Sequence, residues 1–232
     1  MPVFFKNAIL KRMQIHKYRL KLTKSNALRF ISHLDWQSLI LKIFRRCEIN
    51  LVLSEGFNKM PKVSYSPALP IFIESGCELV NFQTYDELDD NFTEIFKKNS
   101  PEGIKIIEFK KQNEDEPKSL ENYCQWAKYS AKIKNGIYNF DKMRYIIDNC
   151  LSSDEILIEK KTKKGIIKKV TYRNSLKTFE IKDDGILSFI LKTGQSDSIP
   201  ALRADEFLGL LFKDAEFSIK RLEFYDIDMR VI

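Results

Sequence analysis

The order of strand and helix signals along this chain predicts an α+β fold of two tandem ferredoxin-like (split βαβ) units, mostly antiparallel sheets with helices on one face. Three observations carry the prediction. The first half reads strand, helix, strand, strand, helix, strand. The second half repeats that order and adds one hairpin. Between them Lys110–Asn122 (KKQNEDEPKSLEN) is polar, charged and interrupted by Pro117, a composition that cannot bury a core and suits a linker. The chain then divides into an N-terminal extension (1–16), a first unit (17–110), a linker (111–122) and a second unit (123–232).

In the first half, Lys17 to Leu22 alternates strictly, with Tyr18, Leu20 and Leu22 on one side, as a half-buried strand requires. Ser32-His33-Leu34-Asp35 is a helix-capping pattern. It opens a stripe of Trp36, Leu39, Ile40, Ile43, Phe44 and Cys47 at steps of three and four, one face of a helix. Gly56, Pro61, Pro67 and Pro70 punctuate the next stretch, around strand-like Lys62–Tyr65. Leu79–Thr84 predicts a strand, Asp90–Lys98 a helix, and Ile104–Phe109 a closing strand.

In the second half, Trp126–Ile133 predicts a strand and Met143, Ile146, Ile147, Cys150 and Leu151 a helix face. Glu155–Lys160 and Ile166–Tyr172 form the additional hairpin, turning at Thr162-Lys163-Lys164-Gly165. Phe179–Ile181 and Ile186–Leu191 pair across Asp183-Asp184-Gly185. Arg203–Phe212 is helical, and Phe217–Tyr225 closes the unit.

With 232 residues and 44% hydrophobic content, the chain has apolar material for one large core or two modest ones. The net charge of +7 permits phosphate-rich partners without requiring one. Cys47, Cys77, Cys124 and Cys150 stand far apart, which excludes the close spacings of zinc and iron–sulfur sites and predicts buried free thiols in a reducing cytoplasm. No apolar run approaches the roughly 20 residues that span a bilayer. The acid-free start, MPVFFKNAILKRMQIHK, is read as a flexible extension or docking helix rather than a secretory signal. No cofactor is expected.

Candidates for chemistry are few. His16 has no visible companion; His33 stands at a helix start, where it serves as a cap or packing residue or, alternatively, as a general base. No phosphate loop, dinucleotide fingerprint or nucleophile elbow is present. Asp86, Glu87, Asp89 and Asp90 precede a helix, where negative charge favours the N-terminus. The hairpin carries Lys160, Lys161, Lys163, Lys164, Lys168 and Lys169. It is either a ribbon laid along a phosphate backbone, whose log–log salt slope would be about −4 if all its lysines engaged a single strand, or a solvated hairpin whose charges block aggregation. Gly56-Phe57-Asn58, leading to Pro61-Lys62, is a loop whose Gly56 and Asn58 tolerate unusual φ; it suits a ligand clamp or a tight crossover.

An ordered series of motifs resembles the radical SAM-linked protein family, a domain found C-terminal to, or encoded beside, cobalamin-binding radical SAM proteins. The series is Tyr18-Arg19-Leu20, Leu28-Arg29-Phe30-Ile31-Ser32-His33-Leu34-Asp35, Ser54-Glu55-Gly56-Phe57-Asn58, Pro61-Lys62-Val63-Ser64-Tyr65, Ala68-Leu69-Pro70 and Glu74-Ser75. The chain departs from it at Lys59 and Met60, where the family loop continues Pro-His-Pro-Lys, and at Phe72, where a glycine is usual. The resemblance implies a non-catalytic adaptor presenting RNA or a protein substrate to a radical SAM partner. Arg29, Lys62 and the hairpin lysines would contact phosphate, and Phe30, Ser32, His33, Asp35, Gly56, Phe57, Asn58, Pro61 and Ser64 would shape the motif surface. The alternatives are a metal-independent endoribonuclease using His33, and a pure protein-interaction module.

Overall fold

The computed structural model describes residues 14–113, 119–135, 138–161, 167–194 and 198–232. Strand β1 (His16–Lys24) starts the first half, so His16, assigned by the sequence to an extension, is buried opposite Thr84. Helix α1 (His33–Arg46) opens on Ser32, whose Oγ accepts the Asp35 N–H at 3.1 Å and donates to Asp35 Oδ2 at 2.7 Å. Trp36, Ile40, Ile43 and Phe44 form its buried stripe. β2 (Val63–Tyr65), β3 (Glu74–Thr84), α2 (Asn91–Asn99) and β4 (Ile106–Lys111) complete the half. The turn into β4 needs Gly103: its φ is +97°, and a Cβ there would stand 2.4 Å from the Ser25 carbonyl oxygen.

A short helix, α3 (Leu120–Tyr123), begins within the stretch read as a linker and runs one residue past it, and its Leu120 is fully buried. β5 (Trp126–Ile133) and α4 (Phe140–Ser152) come next; Asn139 caps α4 by accepting the Lys142 N–H at 2.9 Å. β6 (Leu157–Lys161) and β7 (Ile167–Thr171) pair only with each other, as a separate two-stranded ribbon. The turn residues Thr162 to Gly165 lie outside the described residues. β8 (Leu176–Ile181), β9 (Leu187–Lys192), α5 (Ala204–Leu211) and β10 (Phe217–Tyr225) close the chain.

The fold is mixed α+β, with a mostly antiparallel eight-stranded sheet and five helices among the described residues. Instead of two separate sheets, one sheet runs β4-β1-β3-β10-β5-β9-β8, with β2 also on β3. With the β6–β7 ribbon left aside, in each half the last strand lies beside the first, then the third, then the second. The halves join where β10 pairs with β3 in parallel, Lys220 with Glu74 and Arg221 with Ser75.

β3 decides the layering. Successive side chains of a strand point to opposite faces. Val80 and Phe82 enter one core with Trp36, Ile40, Phe44, Phe92 and Phe96 of α1 and α2. Cys77 and Leu79 enter the other with Met143, Ile147, Phe207 and Leu208 of α4 and α5. The two helix pairs therefore cover opposite faces of the continuous sheet, and the expectation of helices on one face holds only within each half. β3 is buried on both faces, as near-continuous burial from Cys77 to Phe82 records. All four cysteines are buried and unpaired. Among the described residues no helix is long and apolar enough to cross a membrane.

Candidate functional site: a cleft where the halves meet

One edge of β3 is occupied by β1; the other is divided between β2, opposite Val80–Phe82, and β10, opposite Glu74–Ser75. In the interval the chain leaves β2 through Ser66 and Pro67, and two charges meet. Arg221 of β10 (0% exposed) pairs with Glu78 of β3 (1% exposed), and its Nη1 donates to the Pro67 carbonyl at 3.1 Å. The guanidinium lies over Phe224, 4.4 Å from the ring centroid. Ser66 Oγ donates to the other Glu78 oxygen at 3.4 Å and accepts the Leu79 N–H at 3.2 Å. Burial is the largest influence and works against the Arg221 charge, but the Glu78 carboxylate and its hydrogen bond, with smaller help from Tyr129 and Cys77, together outweigh it, so the guanidinium holds its proton more tightly than usual.

Beside this pair is a cleft of about 360 Å³, lined by His33 and Gln37 of α1, Val63 to Ala68, and Ser119 and Glu121 at the start of the second half. Gln37 Nε2 lies 2.9 Å from His33 Nε2. The Gln37 amide donates to Nε2 when the imidazole is neutral with its proton on Nδ1. Burial pulls the His33 pKa below its ordinary value; Arg221 and Lys24 act in the same direction, against Glu78 and Glu121. The Tyr65 ring meets His33 edge-on at 6.4 Å, and its hydroxyl donates to the Gln37 carbonyl at 3.3 Å. Burial pushes that phenol well above its usual pKa. Ser64 Oγ accepts the Leu120 N–H at 3.0 Å, which ties α3 to β2 and closes that side of the cleft.

Lys24 lies behind, 1% exposed, donating to the Ile31 carbonyl at 3.0 Å and standing 5.7 Å from the Trp36 ring centroid. Burial lowers its pKa, although Glu78 and Asp35 oppose the shift. A wider groove of about 670 Å³ runs between α2 and the edge strand β4, and none of the residues of the motif series line it.

Of the residues singled out in the sequence, His33, Ser64, Tyr65 and Ala68 meet in the cleft. Ser32 and Asp35 serve the helix cap. Gly56, Phe57 and Asn58 are exposed and do not line the cleft; Phe57 is wholly exposed. Neither Gly56 nor Asn58 has positive φ, so the loop needs no glycine for its backbone. The loop is instead closed by Ser54 and Met60, through Ser54 N–H to Met60 O at 2.8 Å and Met60 N–H to Ser54 Oγ at 3.0 Å, just before Pro61 pairs with Leu53.

Arg29 is half-buried, 3.4 Å from Glu74 and stacked 4.8 Å from the Phe30 centroid, so a local carboxylate already balances its charge. Phe30 is exposed and meets Phe72 edge-on at 5.6 Å. Phe72 has a φ of 71°, the left-handed backbone that explains why glycine suits this position. Lys62 is half-buried beside β2. Lys169 is exposed and 3.8 Å from Glu159. Lys163 and Lys164 lie outside the described residues, as do the side chains of Lys160, Lys161 and Lys168.

Sequence reasoning missed Gln37, Glu121, Glu78 and Arg221. The last two left no local signal: Glu78 alternates away from Cys77 and Leu79, and only the pairing of β10 with β3 brings Arg221 to it.

No curated protein matches the chain. A solved structure titled "Crystal Structure of an Unknown Protein from Galdieria sulphuraria" aligns over 90% of this chain and 99% of that one, at 7% identity and a TM-score of 0.28, a likeness too low to bear on fold or function. Residues 17–201 match the family described as "Uncharacterized protein conserved in bacteria (DUF2344)", a span that includes the cleft from His33 to Glu121 and the Glu78 half of its ion pair, and the chain belongs to that family.

Proposed function

We propose that this chain is a non-catalytic accessory protein that holds an RNA substrate for a radical SAM enzyme in the cytoplasm, using two ferredoxin-like units fused along β3 and β10. The supporting observation is convergence: motif residues separated in sequence, His33, Ser64, Tyr65 and Ala68, line one cleft beside a buried ion pair. Its polar groups are already engaged. His33 accepts from Gln37, Tyr65 donates to a carbonyl, Ser64 accepts from Leu120, and Ser66 is bonded on both sides. That arrangement fixes donors and acceptors for recognition rather than activating a nucleophile. A cleft of this size with a neutral imidazole and a phenol ring suits an unstacked base from a single strand. The last-first-third-second strand order in each half supports the ferredoxin-like description. The radical SAM partner rests on the motif resemblance.

The test is capture from native lysate by tagged wild type and by His33→Ala and Gln37→Ala variants, with and without nuclease. The expected result is a radical SAM protein together with RNA, and RNA lost in the variants while the enzyme is retained. RNA absent from wild type, or undiminished in the variants, rejects the RNA assignment; no radical SAM protein rejects the partner. RNA cleavage in chelator that is abolished by His33→Ala would replace this reading with a metal-independent endoribonuclease.

A further inference from the structure

A second cleft, of about 320 Å³, lies in the other half, at the start of β8. Arg173, Asn174 and Lys177 line it. It has a surplus of donors. The Lys177 amine stands 4.6 Å from the centroid of the Trp126 ring, and the Lys192 amine stands 5.5 Å from the same centroid. Lys192 is 1% exposed and donates to the side-chain carbonyl of Gln125. Arg173 Nη2 donates to the Leu151 carbonyl at 3.3 Å. Among the described residues none of these three cations is paired with a carboxylate; their partners are a carbonyl, an amide oxygen and the face of an indole. The Trp126 Nε1–H is buried and has no acceptor among the described residues.

Buried donors in folded proteins are nearly always satisfied, and cations gathered without counter-charges mark a place that an anion completes. Register strengthens the point. Leu176 pairs with Leu191 and Trp126 with Lys192, so β5, β8 and β9 deliver these groups to one end of the sheet. The β6–β7 ribbon leads directly into this cleft through Tyr172 and the 3₁₀ turn Arg173–Ser175, with exposed Lys169 on its last strand.

We propose that this cleft is a phosphate-binding site, in which Arg173 and Lys177 contact the anion directly and Lys192 supplies charge from beneath. The anion is either a phosphate of a nucleic-acid strand or free phosphate. Only the first source rests on the proposed RNA role; the site itself does not. Burial alone lowers the pKa of Lys192, the shift an approaching anion would reverse.

The test is isothermal titration of the full chain with inorganic phosphate, then competition with a short single-stranded oligoribonucleotide. Arg173→Ala and Lys177→Ala are the variants, both at positions with solvent access, with circular dichroism confirming the fold. Saturable phosphate binding that each variant weakens about tenfold or more, at a loss near 1.4 kcal/mol per decade, is the expected outcome. Displacement by the oligoribonucleotide assigns the phosphate to a strand. Phosphate bound but not displaced keeps the site, assigns it to free phosphate, and removes RNA from this cleft while leaving the His33 cleft to its own test. No saturable binding, or binding in both variants as tight as in wild type, overturns the proposal.

Discussion

Glu78 neutralises a guanidinium that has no access to water, and removing it leaves that charge stranded. Glu78→Gln is expected to destabilise the fold by about 3–5 kcal/mol in urea denaturation, the range for breaking one side of a buried pair. The same change removes a charge that favours protonated His33. The His33 imidazole, monitored by NMR, is expected to titrate below its ordinary value of 6.5 in wild type and lower still in the variant. A depressed folded-state pKa means that the unfolded chain binds the proton first as pH falls. The His33 contribution to stability is therefore present above about pH 6.5 and lost on acidification through the folded value. His33→Gln should flatten the dependence of the urea midpoint on pH across that window. Phe72 tests the backbone. Phe72→Gly relieves a left-handed φ costing about 1–2 kcal/mol and gives up an edge contact worth about 0.5–1.5 kcal/mol, so it should be close to neutral, while Phe72→Val should destabilise by about 1–2 kcal/mol because a β-branched residue keeps the strain and loses the contact. The chemistry of His33 and Ser64 was visible in the sequence because they stand in compact local motifs. Arg221 was not, because its partner is 143 residues away and only the sheet register brings them together.

Helix starts obey local rules. Ser32→Ala and Asn139→Ala should each cost about 1 kcal/mol in urea denaturation, since each side chain satisfies an otherwise free first-turn N–H. The first cap was legible in Ser32-His33-Leu34-Asp35, and β5 and β10 occupy the positions their apolar patterns predicted. β3 was predicted only from Leu79, whereas it begins at Glu74. The missing residues, Glu74-Ser75-Gly76-Cys77-Glu78, carry charge and a glycine and resemble a turn until β10 and Arg221 are placed beside them. α3 was hidden for a similar reason: its four residues are too few to show a period, and what fixes it is the Ser64 hydroxyl, four elements earlier. The clamp assigned to Gly56–Asn58 rested on residue type alone, and the ordinary φ values of these residues remove that argument.

At the scale of the molecule, the repeated strand-and-helix order was legible, but the joining of both halves into one sheet was not, because two pairs of parallel register leave no local pattern. The halves share β3 in both cores, so they are expected to unfold together. Trp36 belongs to the first half and Trp126 to the second, which gives one fluorescent reporter in each. Trp36→Phe and Trp126→Phe proteins should each show one urea transition, with fluorescence and circular dichroism coincident; two separated midpoints within either protein would show that the halves melt independently. The position of β10 also matters during synthesis. It is the last of the ten strands among the described residues to leave the ribosome, yet it lies in the middle of the sheet, between β3 and β5. Until Phe217–Tyr225 emerges, the nascent chain carries two unfilled strand edges facing a gap one strand wide. Such edges recruit foreign strands, so a translation product halted just short of residue 217 should be a preferred client of ribosome-associated chaperones.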